Sequence, residues 1–257
     1  MEFIQYSAKD RIGYITLHRP ERRNALNFEM VSELKAVFFE AESDKNVKVI
    51  VLKAQGQTFC AGADLAYLQK MQSFSFEENL EDSRHLANLF YQIYSLKKIV
   101  IAQVQGHAFA GGCALASMCD FVYAVPEAKF GFTEVKIGFV PAIVMVFLMR
   151  KIGELKTKHL LLTGELVSRE KAVAAGLVNQ IVSREEIEHA VSEFAHRLIT
   201  NNSTQSMELI KKMTAEVQSL SFEKALEYVT TMNATVRGGE DYKKGMQSFL
   251  DKKDLVW

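Results

Sequence analysis

The stretches FCAGADL (residues 59–65) and GHAFAGGCALASMCD (residues 106–120) determine the fold that this sequence predicts. Each one follows a run of apolar residues suited to a buried strand. Each then passes through small residues into a segment that is compatible with a helix. Because glycine and alanine let the backbone approach a ligand closely, the two stretches predict strand-to-helix turns that could form part of a binding site.

Strand and helix patterns alternate around these turns. Residues Ile12 to Leu17 alternate as in a half-buried strand, whereas Val47 to Leu52 and Ile99 to Val104 are nearly continuous apolar runs. Two apolar stripes at helical spacing lie between the runs. Their residues are Met30, Leu34, Val37, Phe38 and Ala41, and then Leu86, Leu89, Phe90, Ile93 and Leu96. The alternation predicts an α/β fold.

The carboxyl-terminal part of the chain has a different pattern. The strand signal fades after about Gly153, and helical patterns follow over Glu185 to Ile199, Ser203 to Leu220 and Phe222 to Val236. We therefore predict an α/β core over residues 1–200 and a helical region over residues 201–257.

Composition restricts the partners that we expect. Lysine and arginine total 31, as do aspartate and glutamate, so no net field attracts nucleic acid or an anionic membrane. The longest apolar run, near Phe139 to Met149, is too short to span a membrane, and the amino-terminal stretch lacks the features of a secretory signal. We expect a cytoplasmic protein. The cysteines Cys60, Cys113 and Cys119 predict reduced core thiols, and no residue cluster has metal-site spacing.

The glycines of the second stretch are predicted to lie at a helix amino terminus. There the first N–H groups lack partners within the helix and the helix dipole is positive, which suits a developing anion. Two such turns could converge on one oxygen, and paired backbone donors are the usual device for stabilising an acyl oxyanion. The alternative is that the glycines only permit tight connections. Neither turn matches a phosphate-binding loop or a dinucleotide fingerprint.

Six blocks follow one another in order along the chain. They are HRPERRNALN at 18–27, FCAGADL at 59–65, GHAFAGGCALASMCD at 106–120, FGFTEVKIGFVP at 130–141, TGELVSREKAVAAGLVN at 163–179 and EDYKKGMQSFLDKK at 240–253. In these blocks the chain resembles the crotonase superfamily, also called the enoyl-CoA hydratase/isomerase family. The resemblance implies a crotonase-type spiral of repeated ββα units, with a C-terminal helical region used in trimer formation. It also implies a homotrimer or a homohexamer built as a dimer of trimers, an acyl-CoA substrate and no cofactor.

The resemblance also implies a set of site residues. The N–H groups of Ala63 and Gly111 are expected to form the oxyanion hole for a thioester carbonyl. The expected contacts to coenzyme A and the acyl group are Arg23, Ala25, Ala61, Ala63, Asp64, Leu65 and Gly111, together with Phe249 and Lys252 of a neighbouring subunit.

The carboxylates depart from the family pattern. Family hydratases usually carry two glutamates, of which this chain keeps Glu134 but has Ala114 at the other position, three residues after Gly111. Alanine can neither hold nor deprotonate a water molecule. If Glu134 lies in a closed acyl pocket, desolvation should raise its pKa toward the range of a general acid or base.

Other polar residues of the blocks have structural interpretations. Asp120 and His107 are predicted to be structural, and Asp64 is expected to fix the first turn rather than perform chemistry. Bulky residues at 143–147 follow Pro141, where many family members have a glycine-rich run, and we expect them to reshape the wall beside Glu134.

Four functions remain open at this point. The leading hypothesis is an enoyl-CoA hydratase in which Glu134 acts as general acid and base. An enoyl-CoA isomerase could use Glu134 alone to move a proton from C2 to C4. A third possibility is hydration or dehydration of a branched thioester of the methylglutaconyl or hydroxymethylglutaryl type, on coenzyme A or an acyl carrier protein. The last is a non-catalytic acyl-CoA binder, against which the retention of Glu134 argues.

Overall fold

The computed structural model describes residues Met1 to Trp257. Its strands are β1 (Ile4–Lys9), β2 (Ile12–Leu17), β3 (Val49–Ala54), β4 (Thr58–Cys60), β5 (Ile99–Val104), β6 (His107–Phe109), β7 (Phe121–Ala124), β8 (Phe130–Gly131) and β9 (Gln180–Ile181). Its α-helices are α1 (Phe28–Ser43), α2 (Leu65–Met71), α3 (Phe76–Ser95), α4 (Gly111–Met118), α5 (Ala142–Ile152), α6 (Glu154–Thr163), α7 (Arg169–Ala175), α8 (Ile187–Asn201), α9 (Thr204–Val217), α10 (Phe222–Arg237) and α11 (Glu240–Leu250).

The strands form two sheets, and from β3 to β8 the chain alternates between them. The larger sheet has the order β1-β2-β3-β5-β7-β9 and is parallel except for the pair β1 and β2. The smaller sheet has the order β4-β6-β8 and is parallel. Each of β3, β5 and β7 is therefore followed along the chain by a strand of the second sheet and then by helical structure. This repetition is the predicted spiral of ββα units.

The core forms where the sequence predicts continuous apolar character. All six residues of β5 are buried, and so are the first four of β3, because the parallel strands are covered on both faces. The stripe from Met30 to Ala41 is buried on α1, and Leu89, Phe90 and Ile93 are buried on α3. The ends of β4 and β6, where the two turns begin, are thus attached to a packed interior.

One strand lies after Gly153, although the strand pattern of the sequence fades there. Gln180 and Ile181 form β9, which pairs with β7, and two residues are too few to give a pattern of their own. Helix α8 packs on the larger sheet, whereas α10 and α11 contain no buried residue in this chain. The division of the chain at residue 200 stays a prediction.

Three further features bear on the predictions from composition. Cys60, Cys113 and Cys119 are free and buried, as predicted, and burial raises the pKa of each thiol to about 12. None of the helices combines the length and the apolar character that crossing a membrane requires. No group of three or more histidine, cysteine, aspartate or glutamate side chains is arranged to hold a metal ion.

Candidate active site

The first turn follows β4 and is held in place on both sides of Ala63. The Leu26 amide donates to the Gly62 carbonyl at 2.7 Å, and the Asp64 amide donates to the Leu26 carbonyl at 2.8 Å. The Ala61 amide donates to the carbonyl of Arg23 at 3.0 Å. The N–H of Ala63 donates to no acceptor in the chain. These bonds therefore fix the turn while leaving the Ala63 amide free for a ligand.

Asp64 explains why the turn leads into a helix. Its carboxylate accepts from the amides of Ala66 (2.9 Å) and Tyr67 (3.1 Å) at the start of α2, and it forms an ion pair with Arg19 at 2.8 Å. Desolvation raises the pKa of Asp64, but the hydrogen bonds from Tyr67 and Arg19 outweigh it and lower the pKa overall. Asp64 is an N-cap that fixes the turn, in agreement with its structural interpretation.

The second turn places Gly111 at the first position of α4. The Gly111 N–H has no acceptor in the chain, as is normal at the start of a helix. Ala110, the residue before it, has φ +47° and ψ −121°, a conformation that favours glycine. A Cβ atom on Gly112 would lie 2.2 Å from the carbonyl oxygen of Cys60, so α4 begins in direct contact with the end of β4.

The two turns touch each other. Gly62 has φ +93°, and a Cβ atom built on it would lie 3.5 Å from the Gly111 nitrogen. A Cβ atom on Gly111 would lie 3.9 Å from the Gly62 Cα. The free amide of Gly111 therefore adjoins the turn that carries the free amide of Ala63. Two free donors on adjoining turns are the arrangement that an oxyanion hole requires.

Glu134 lies in a segment that adjoins the second turn. It is the first residue of a short 3-10 helix (Glu134–Ile137) that follows β8, and its Oε2 atom is buried without a hydrogen-bond partner. Burial raises the pKa of Glu134, while its own amide lowers it. Strand β8 pairs with β6, and the Ala110 amide donates to the carbonyl of Gly131, three residues before Glu134, at 2.8 Å. A half-buried carboxylate with a raised pKa is a candidate general acid or base.

No second carboxylate accompanies Glu134. Ala114 is buried on α4, and no charged side chain lies close enough to Glu134 to shift its pKa resolvably. Glu134 is therefore the one carboxylate that we propose as an acid–base group.

Asp120 and His107 form hydrogen bonds that connect different parts of the fold. Asp120 accepts from the Val100 amide and from the Lys211 ammonium, both at 2.7 Å, and so ties β5 to α9. His107 accepts from the Lys129 amide at 3.3 Å, and its ring stacks on Phe109. Both contacts agree with the structural interpretation of these residues.

Of the remaining residues predicted to bind coenzyme A, Arg23, Ala25 and Leu65 adjoin the first turn, whereas Phe249 and Lys252 belong to the carboxyl-terminal region. Arg23 is exposed with φ +53°, Ala25 is buried, and Leu65 is 84% exposed at the start of α2. Phe249 is 78% exposed and Lys252 is also exposed, in the region where α11 packs on α10. Their contribution to a neighbouring subunit stays a prediction.

The bulky run after Pro141 forms α5. Val144 and Leu148 face the core, whereas Met145 and Val146 are exposed. The helix packs on α3 and α4, and Phe147 contacts the ring of Tyr94 edge-on at 5.3 Å. How this run shapes the wall beside Glu134 stays a prediction.

Two residues that shape the site, Arg19 and Ala110, could not be identified from the sequence. Arg19 is one of several arginines in its block, and only the fold shows that it pairs with Asp64. Ala110 gives no signal at all, because nothing in the sequence indicates that an alanine adopts a positive φ.

Known proteins share this arrangement of elements. The family model for enoyl-CoA hydratase/isomerase matches residues 7–257. One relative is a Thermus thermophilus protein that is provisionally named an enoyl-CoA hydratase. It is 39% identical over 245 residues, which cover 95% of this chain and 96% of the relative's length. The crotonyl-CoA hydratase of Syntrophomonas wolfei is 31% identical over 98% of this chain and 96% of its own.

A solved structure agrees with these sequence relatives. The enoyl-CoA hydratase from Shewanella pealeana superposes with a TM-score of 0.92 at 27% identity, covering 99% of this chain and 96% of that one. The family model covers nearly all of the chain and includes both turns and Glu134. The chain therefore belongs to the enoyl-CoA hydratase/isomerase family of the crotonase superfamily and is an enzyme of that family.

Proposed function

We propose that this enzyme is a hydro-lyase that adds water across the 2,3 double bond of an enoyl-CoA thioester. One observation carries the proposal: two free backbone amides lie on touching turns, and the second turn adjoins the segment of Glu134, whose Oε2 atom is buried without a hydrogen-bond partner. The names of the relatives, including a crotonyl-CoA hydratase and a short-chain-enoyl-CoA hydratase, support the same reaction.

The proposed reaction uses each group at a stated atom. The thioester oxygen accepts hydrogen bonds from Ala63 and Gly111. Glu134 takes a proton from water as the water oxygen bonds to C3, and the electron pair of the double bond moves toward the thioester oxygen to form an enolate. Glu134 then returns the proton to C2, which regenerates the carboxylate. Losing one oxyanion donor typically slows such a reaction by about 100-fold to 1000-fold.

Binding of the coenzyme A portion is proposed to use exposed groups around the first turn. Arg23 offers a cation, and Leu65 an apolar surface, on either side of the Ala61 to Asp64 backbone. We further propose that Phe249 and Lys252 reach the coenzyme A of a neighbouring copy in a homotrimer or homohexamer. The reaction needs no cofactor and is proposed to occur in the cytoplasm.

Isomerisation is the second candidate, and Ala114 is the observation that favours it. Moving a double bond from C3 to C2 requires one base that takes a proton from C2 and returns it at C4. Glu134 alone can do this, and no second carboxylate is needed to hold water.

One assay separates the two reactions. The enzyme is mixed with a 2-enoyl-CoA and, separately, with a 3-enoyl-CoA, and ultraviolet absorbance follows the loss or gain of conjugation. Hydration of the first supports our proposal, whereas conjugation of the second without hydration of the first supports the isomerase.

Two variants test the role of Glu134. We expect Glu134→Gln to abolish either activity, because the amide cannot accept the proton. Glu127→Gln is the matched control, since the Glu127 side chain is 63% exposed and its only ion-pair contact is Arg184 at 3.9 Å. Full activity in Glu134→Gln would overturn the mechanism for both candidates.

A further inference from the structure

Helix α4 begins with Gly111, whose amide is one of the two proposed oxyanion donors, and the helix is tightly packed. Its eight residues make it about 12 Å long, and every residue after Gly111 is buried. A shift of the whole helix therefore moves the Gly111 amide directly. What fixes the two ends of α4 determines where that amide points.

The amino end of α4 is bonded to the segment that carries Glu134. The Ala110 amide donates to the carbonyl of Gly131 at 2.8 Å, and Gly131 lies three residues before Glu134. Ala110 has a φ of +47°, a conformation that is strained for a residue other than glycine. This end of the helix is therefore strained and needs support from elsewhere in the structure.

The carboxyl end of α4 is bonded to Lys151, on α5. Its ammonium donates to the carbonyl of Ser117 at 2.9 Å and to that of Cys119 at 2.7 Å. The residue as a whole is exposed, but its ammonium lies against the carbonyls of two buried residues, and the resulting desolvation lowers the pKa of Lys151. A cation is favourable at a helix carboxyl terminus, where the last carbonyls lack partners.

Both bonds come from one stretch of chain. Residues 131–151 include the Gly131 carbonyl at one end, Lys151 at the other, and Glu134 between them. We propose that Lys151 is a positioning residue, which holds α4 from its carboxyl end and so fixes the Gly111 amide relative to the Glu134 carboxylate. This inference rests on the proposed function, because it assigns Lys151 to the geometry of the same site.

The structure indicates what loss of Lys151 does. Without the ammonium, two helix carbonyls lose their donor and the strain at Ala110 can relax by a movement of α4. A displacement of about 1 Å at a catalytic group can cost about 100-fold in rate. Because substrate is bound mainly by other residues, kcat should fall while KM stays nearly constant.

A matched lysine elsewhere in the fold supplies the control. The Lys98 ammonium donates to the carbonyls of Ala41 and Asp44 at the carboxyl end of α1, which carries no proposed catalytic group. Lys151→Met and Lys98→Met remove the same kind of interaction from different helices. Lys151→Arg keeps donors for both carbonyls and tests rescue.

Two readouts are measured for each variant. The first is kcat and KM with the enoyl-CoA that the wild-type enzyme converts. The second is the infrared stretching frequency of the thioester carbonyl of bound butanoyl-CoA labelled there with carbon-13, which falls as hydrogen bonds to the oxygen strengthen. The frequency reports on the oxyanion donors without any reaction.

We expect Lys151→Met to lower kcat by about tenfold or more and to return the carbonyl frequency part of the way to its value in water. Lys98→Met should lose stability but keep kcat and the frequency, and Lys151→Arg should recover both. Wild-type values in Lys151→Met, or equal losses in Lys98→Met, would refute the positioning role. If Lys151→Met does not fold, Lys151→Gln is used with the same expectation. A wild-type frequency equal to that in water would instead refute the oxyanion hole itself, and the inference with it.

Discussion

Replacing Gly62 with alanine should separate the catalytic importance of the first turn from its contribution to stability. The new Cβ atom would lie 2.9 Å from the Cβ of Ala110 and 3.0 Å from the carbonyl oxygen of Phe109. Ordinary carbon–carbon contacts are about 3.5–4.0 Å, so the two turns must separate by roughly 0.6–1 Å. The alanine must also adopt φ +93°, which costs about 1–2 kcal/mol.

The separation acts on the proposed oxyanion hole, because the two turns carry its two proposed donors, the amides of Ala63 and Gly111. A misplacement of about 1 Å can cost about 100-fold in rate, so we expect Gly62→Ala to lower kcat between roughly tenfold and 100-fold. Gly176→Ala is the control, since Gly176 also has a positive φ of +86° but its new Cβ would meet only Ile152, at 3.4 Å.

The assay compares kcat with the free energy of unfolding in urea for both variants. Both should lose stability, because both force alanine to adopt a positive φ, and Gly62→Ala should lose more, because its new Cβ also clashes with Ala110 and Phe109. Only Gly62→Ala should lose kcat beyond what the folded fraction explains. If the two variants keep equal and near wild-type kcat, the contact between the turns does not position the donors, and our account of the site is wrong.

The other predictions concern charge and the missing carboxylate. Burial raises the pKa of Glu134, so the kcat of the wild-type enzyme should rise with pH through a value above 4.5. Ionisation of Glu134 in the fold costs stability as pH rises through that pKa. Glu134→Gln should therefore unfold at higher urea concentration than wild type at pH 8 but not at pH 4, while Glu127→Gln shows no such difference. Ala114→Glu should raise the ratio of hydration to isomerisation by about tenfold or more, measured on paired 2-enoyl and 3-enoyl substrates, because a second carboxylate can hold water; an unchanged ratio would contradict this. Asp120→Asn should lower the free energy of unfolding by about 2–3 kcal/mol, since Lys211 is 6% exposed and loses its charge partner; a loss below about 0.5 kcal/mol in urea unfolding would exclude this role.

Much of the core could be predicted because burial imposes its own pattern on a sequence. Strands β2 and β5 begin and end at the predicted residues, Ile12 to Leu17 and Ile99 to Val104, since the first has a clear alternating pattern and the second is a continuous apolar run. Strand β9 could not be found, because it has two residues and exists only through its pairing with β7. Its position depends on tertiary structure, which local sequence does not encode.

The site divides in the same way. The turn glycines and Glu134 stand in blocks that the sequence displays, whereas the contact between Gly62 and Gly111 appears only when the two turns are brought together. Lys151 is one lysine of an ordinary basic pair in the sequence, and only the fold shows that it bonds the end of α4. Interactions between distant segments are what the sequence pattern leaves undetermined.

The most direct test of the oxyanion hole is a crystal structure of the enzyme with a saturated acyl-CoA. Our account predicts the thioester oxygen at about 2.7–3.1 Å from both the Ala63 and the Gly111 nitrogen, with the Glu134 carboxylate facing C2 and C3. The account would be contradicted by a complex in which the acyl group is bound away from the two turns and the thioester oxygen contacts neither the Ala63 nor the Gly111 amide.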